Sequence, residues 1–293
     1  MPNQTLSTAE RRRPWWLLAP TLLVLGLLMV VPIGVMTVYS FYTFKTAGVE
    51  TPGFDLANWH EFFTDPYYWW FLWKTFRVSA VTAILCGVLA YPPAYFIAMT
   101  AYKQKWLLLL LLIVPFWISF TIRTFSWIHI LGEKGAINAL LTGSGLISEP
   151  LPLLYNEGSV IMGMLHFLLP YAILNIYVAL EGIDRNLISA ARTLGCTEWQ
   201  AFREVTLPLS LPGLGAGLLL AFVLAAGSYV TPQILGGRSD SLFGNLIFDT
   251  IMRELNWPLG TTLSLVLLAL LGVVSVLYTK YMGLSTVFKG LSR

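Results

Sequence analysis

Few residues of this chain are placed to do covalent chemistry. The three histidines, His60, His129 and His166, are scattered without the spacing of metal ligands, so no metal site is predicted. Cys86 and Cys196 fall at different depths of the chain's layout and give no disulfide framework. No serine, Ser228 included, sits in the G-x-S-x-G setting of a hydrolase nucleophile. No G-x-x-x-x-G-K-[ST] loop is present to cradle phosphates, so hydrolysis of ATP by that route is expected on a partner, and no cofactor is expected in this chain. The expected catalytic set is empty. What the sequence does carry is a docking pattern, SAARTLGCTEWQAFREVTLP over residues 189–208.

Local physics predicts a helix, a sharp turn and a second helix for this stretch. Leu187, Ala190, Ala191 and Leu194 fall at i, i+3, i+4 and i+7, one apolar face of a short helix opened by Asp184 as N-cap. Gly195 follows the last periodic residue, where a left-handed conformation closes a helix. Thr197 and Gln200 make a capping box for a second helix carrying Trp199 and Phe202, with Pro208 as its boundary. Small side chains at Ala190, Ala191 and Gly195 would let another protein's backbone approach closely, while Trp199 and Phe202 anchor the hairpin.

The elements around it must be membrane helices. Apolar residues make up 56% of the chain and charged ones 11%, far outside the soluble range of roughly 25% charged. Six stretches long enough to span, each about 20 residues, lie at 15–40, 75–98, 106–131, 159–180, 209–235 and 258–280. Arg11, Arg12, Arg13, Lys103, Lys105, Arg185, Arg192, Arg203, Lys280, Lys289 and Arg293 fall on one side of that layout. By the positive-inside rule both termini and the 181–208 loop are cytoplasmic. The organisation expected is a tail 1–14, a first span 15–40 that is not a cleaved signal, an outward segment 41–73, a core 74–285 and a tail 286–293.

The outward segments carry an aromatic cluster at 66–73, suited to the headgroup layer, and two short surface helices, at Ile137, Leu140, Leu141 and at Phe243, Ile247, Ile251, Leu255. Glu50, Asp55, Glu61, Asp65, Glu133, Glu149, Glu157, Asp240, Asp249 and Glu254 stand there against Lys45, Lys134, Arg238 and Arg253, an acidic surface that would favour arrival of a cation. Gly213 and Gly217 have the small-xxx-small spacing of close helix contact. Pro92-Pro93, Pro115 and Pro170 interrupt other spans.

The loop resembles the EAA loop of ABC importer permeases, EAA-x3-G-x9-I-x-L-P, with Ser189 in place of Glu and Val205 in place of Ile. The strings IRTFSW (122–127), GAINALL (135–141), SYVTPQILGG (228–237) and FGNLI (243–247) are similar to permeases of the spermidine/putrescine importers, the PotB and PotH type. The resemblance implies an all-α, six-span type I importer domain paired with a second permease. It also implies two cytosolic ATPases holding ATP and Mg, a periplasmic or lipid-anchored binding protein, and no nucleic acid. It assigns ATPase coupling to Leu187, Ser189, Ala190, Ala191, Arg192, Gly195, Glu198, Leu207 and Pro208. Relatives of the subgroup carry iron(III), thiamine or opine-like compounds, so polyamine is an expectation. A self-contained secondary carrier would show internal repeats and intramembrane acids, and no Asp or Glu lies in the six stretches.

Arg123 is the charge expected well inside a span, eight residues from Leu131, or about 12 Å at a rise of ~1.5 Å per residue. A lone charge there predicts pairing with backbone carbonyls, Asp249 or a carboxylate of the second permease. Arg123, Trp127, Tyr229 and Asp249 are the candidates for a pathway or gate.

Overall fold

A computed structural model describes residues 8–100 and 103–283, with side chains from Leu18 to Tyr281. The side chains of Arg11, Arg12 and Arg13, and the tail 286–293 with Lys289 and Arg293, lie outside the described residues. In chain order the elements are α1 (Thr8–Tyr39), β1 (Thr43–Thr46), β2 (Val49–Thr51), α2 (Ala57–Thr64), α3 (Pro66–Tyr95), α4 (Lys105–Ile113), α5 (Phe120–Leu131) and α6 (Ala136–Gly143). There follow α7 (Glu157–Glu181), α8 (Arg185–Thr193), α9 (Glu198–Ala201), α10 (Leu207–Ala226), α11 (Val230–Leu235), α12 (Phe243–Met252) and α13 (Trp257–Tyr278). Among the described residues five helical stretches are long and apolar enough to cross a membrane: Leu18–Tyr39, Pro66–Thr100, Glu157–Glu181, Glu198–Ala226 and Trp257–Tyr281. A sixth crossing would be a bent pair, Lys105–Trp117 and Phe120–Gly143, whose axes differ by 91°.

The expected helix over 106–131 is therefore broken. Pro115 has no N–H to give an α-helical ladder, Val114–Trp117 tightens into a 3-10 turn, and Ile118 and Ser119 turn extended with ψ of 134° and 133°. The stretch expected over 209–235 also ends early, at Ala226. Gly227 and Ser228 donate back to Val223 and Ala225 at 3.1 Å each, closing the helix, and α11 starts afresh with Pro232 in its first turn, where no donor is needed. The second crossing begins earlier than 75. Asp65 accepts a hydrogen bond from the Tyr67 amide at 2.8 Å and Pro66 opens the helix, so the aromatic cluster forms its first two turns.

The chain folds as two compact units. The larger, residues 65–248 with 269–283, is built on α3, α7 and α10, whose core includes Val78, Cys86, Leu168, Ile176 and Ala221. Its tightest seam runs between α7 and α10. A Cβ at Gly213 would stand 2.2 Å from Ala179 Cβ, and one at Gly217 would stand 3.4 Å from Ala172 Cα. Gly213 thus allows backbones to approach where a side chain would hold them apart, while a Cβ at Gly217 would just reach contact.

The smaller unit, residues 8–64 with 249–268, contains an antiparallel hairpin that an all-α reading misses. β1 and β2 pair Thr43 with Thr51 and Phe44 with Glu50, and Gly48 supplies the positive φ of 72° at the turn. The signal was present in the Thr-rich run TFKTAGVET around a glycine. Asn58 Nδ2 donates to Ser40 and Tyr42 carbonyls at 3.0 and 2.9 Å, fixing α2 under the end of α1. Leu255, expected on the α12 face, lies beyond the end of that helix with a φ of 54°.

Candidate functional site: the 185–204 hairpin and the helix breaks

The 185–204 hairpin has the local structure its residues dictate. Asp184 caps α8 by accepting from the Asn186 amide at 2.9 Å, Gly195 sits at φ +91°, and Thr197 and Gln200 satisfy each other's orphan amides in a capping box. One expectation fails. Pro208 does not bound the second helix; α9 passes through a π-helical turn, Phe202–Thr206, into α10, so Glu198–Ala226 is one continuous stretch. The wider turn has the Leu207 amide bond back to Phe202 O, and Leu207 and Pro208 then occupy the first turn of α10, where proline's missing donor costs nothing.

Burial separates what holds the hairpin from what it offers. Phe202 lies against Tyr91 and Tyr95 with ring centroids 5.9 and 5.5 Å apart, and Arg185 Nη2 donates to Ala98 O at 3.0 Å. Arg192 and Glu198 bridge the two arms at 3.1 Å. Leu187, Ser189 and Ala190 are exposed, Leu194 is 86% exposed and Trp199 68%, whereas Ala191 is buried. Trp199 stacks on Phe202 but keeps most of its surface free. The apolar ridge therefore faces away from this chain and is open to a second protein.

Within the larger unit Arg123 and Trp127 come together beside α7. Trp127 Nε1–H donates to His166 Nδ1 at 3.1 Å, which leaves the His166 proton on Nε2 if the ring is neutral. Arg123 is 8% exposed, its Nε has no hydrogen-bond partner among the described residues, and its guanidinium lies 5.9 and 6.0 Å from the ring centroids of Phe116 and Phe167. The expected carbonyl or carboxylate partner is absent from these residues. Aromatic faces stand in its place, Phe116 from the 3-10 turn between α4 and α5 and Phe167 from α7, and their negative quadrupole attracts a cation. Tyr229 lines a neighbouring cavity of about 220 Å³ at the α10–α11 break, which shares Phe120 and Phe167 with the Arg123 cluster. Its ring stacks on Phe248 at 5.0 Å. Asp249 belongs to the smaller unit, where it lies 3.1 Å from Arg253 without hydrogen-bond alignment.

Two cations escaped the sequence reading. Lys74, 6% exposed at its side chain, reaches Asp240 at 3.5 Å and donates to Ser239 O, and Arg77 pairs with Glu157. Both tie the start of α3 to segments more than 75 residues away, a pairing that no local pattern announces. They pair with Asp240 and Glu157, two acids of the expected acidic surface, so fewer of those acids are uncompensated than the sequence count gives.

The family profile described as binding-protein-dependent transport system inner membrane component matches residues 5–284. The spermidine/putrescine transport system permease protein PotB of Haemophilus influenzae is 34% identical over 264 residues, covering 90% of this chain and 88% of the relative. PotB of Escherichia coli is 34% identical over 239 residues, covering 82% and 86%. A bacterial ABC transporter that imports the acidic polysaccharide alginate has the same fold, with a TM-score of 0.73 at 16% identity over 94% of this chain and 97% of that one. With a profile spanning almost its whole length and the fold of an ABC importer membrane subunit, the chain belongs to the binding-protein-dependent transport system inner membrane components.

Proposed function

We propose that this chain is one of two permease subunits of a polyamine ABC importer, with both termini and the 185–204 hairpin in the cytoplasm. The second permease would complete the pathway, two cytosolic ATPases would bind ATP and Mg, and a periplasmic or lipid-anchored binding protein would deliver spermidine, putrescine or a similar small cation. The observation that carries the reading is the 34% identity to PotB over nine tenths of the chain.

The geometry supports a route for the stroke. An ATPase seated on Leu187, Ala190, Leu194 and the Ser189 surface would push on α8, and the Arg192–Glu198 contact joins α8 to the arm that runs unbroken into α10. The α10 helix packs on α7 through Gly213 and Gly217, so a displacement of the hairpin would be carried as a rigid-body shift of that pair. Arg123, Trp127 and Tyr229 lie beside the helix break, and we assign them to the pathway. A cationic substrate requires Arg123 to stay stacked on its rings rather than project into the path.

The test is reconstitution of the permease with its partner subunits in proteoliposomes, followed by uptake of labelled spermidine against ATP hydrolysis. Binding-protein-stimulated hydrolysis with spermidine uptake is expected. Uptake of an anionic sugar or phosphate ester, with none of di- or polyamines, would overturn the substrate and leave the permease assignment standing.

A further inference from the structure

The smaller unit holds a carboxylate that nothing in the transport reading uses. Glu50 lies on β2 opposite Phe44, and its Oε2 is buried without a hydrogen-bond partner among the described residues. It borders a cavity of about 280 Å³ whose other walls are Val35, Met36, Tyr39, Trp257 and Thr261. The hairpin is held in place by its turn, where the Gly48 amide donates to Leu255 O at 3.2 Å, two residues before Trp257. Tyr39 is steadied by stacking on Tyr42 at 4.9 Å. The Thr261 hydroxyl is committed to Pro258 O at 2.9 Å, so it does not serve the carboxylate. Lys45, the cation of the same hairpin, makes no ion pair with Glu50.

A half-buried carboxylate whose inner oxygen has no partner is best satisfied by a donor that also brings positive charge. Two aromatic rings beside it add a face that attracts cations, and the aliphatic wall from Val35 and Met36 suits a short alkyl stem. A neutral apolar ligand would leave Glu50 unsatisfied, and an anion would be repelled. We infer that Glu50, Tyr39 and Trp257 form a binding site for a protonated amine, an ammonium group on a short alkyl chain. Such a group is offered by a free alkylamine and by the headgroup of phosphatidylethanolamine. The inference does not rest on the transported substrate, since a permease for any other solute would still bind the lipid headgroup here.

The full-length permease, purified with its associated subunits in the non-ionic detergent dodecyl maltoside, is titrated calorimetrically with putrescine and with lysophosphatidylethanolamine. Lysophosphatidylglycerol, which lacks an ammonium group, is the control. Saturable binding of at least one ammonium probe but not of the control is expected, weakened tenfold or more by Glu50→Gln. Binding of putrescine alone assigns a free amine, of lysophosphatidylethanolamine alone a lipid headgroup, and of both a site that accepts either. Tyr39→Leu and Trp257→Leu carry the same test independently of the carboxylate variant and should each weaken the same probe severalfold. Thermal unfolding of each variant shows that it is folded. Equal affinity in wild type and all three variants, or no saturable binding of either ammonium probe, overturns the site.

Discussion

The 185–204 hairpin and the α7–α10 seam meet at Leu207, yet they are stabilised by opposite means. The hairpin is made of caps, a positive-φ glycine and an exposed ion pair, all within a few residues of one another. The seam is made of contacts between residues about 35–45 positions apart, with no hydrogen-bonding side chain at its tightest point. Damage to the seam should therefore reach folding and assembly, whereas damage to the hairpin should reach coupling to a partner and leave the membrane unit intact.

The largest effect is expected from Gly213→Leu. The side chain would have to occupy the space of Ala179, and overpacking of a fixed seam costs about 3 kcal/mol or more. Yield of folded permease and its unfolding temperature should both fall, and a variant that purifies and unfolds like wild type would show that the two helices slide freely. Next comes Gly195→Val, which forces a β-branched residue to φ +91° at a cost of about 1–3 kcal/mol confined to the turn. Insertion and unfolding temperature should hold while binding-protein-stimulated ATP hydrolysis drops on the order of tenfold. Leu194→Asp, on the exposed apolar ridge, should act in the same direction. Wild-type hydrolysis in both would remove the hairpin from the coupling route.

Arg123→Gln sharpens the comparison from within the membrane. Since the guanidinium has no carboxylate or carbonyl partner among the described residues, removing its charge should not lower the unfolding temperature of the purified permease. A clear loss of assembly with the second permease would instead reveal a partner carboxylate on that subunit. Unchanged assembly and hydrolysis with reduced uptake would place Arg123 in the path. The smallest effect belongs to Glu198→Gln. The Arg192–Glu198 side chains are 55% and 85% exposed, and a pair so open to solvent contributes about 0.5 kcal/mol or less. Chemical denaturation should hardly register the change, so a large loss of coupling would mean that Glu198 contacts the ATPase directly.

The same contrast explains what could be read in advance. Asp184, Gly195 and the Thr197–Gln200 box were legible because each acts on backbone groups within four residues, and apolar run length exposed the spans because a bilayer demands about 20 such residues. The breaks at Ile118–Ser119 and at Gly227–Ser228 were less legible. Proline and glycine were visible at 115 and 227, but whether a helix kinks, ends or carries on depends on where its neighbours leave room. Pro208 makes the point in reverse, since it reads as a boundary and sits in the first turn of a continuous helix.

The amino-acid sequence by itself determined the membrane class, the positions of most helices, the helix-turn-helix of the hairpin and the small-residue contact at Gly213 and Gly217. Only the tertiary structure decided which charges are compensated. Lys74 finds Asp240, Arg77 finds Glu157, Arg123 finds aromatic faces and Glu50 borders a cavity. The reason is physical. A cap or a turn is satisfied by neighbours along the chain, whereas the environment of a buried charge is set by whichever distant segments the packing brings within a few ångströms, and sequence spacing carries no record of that distance.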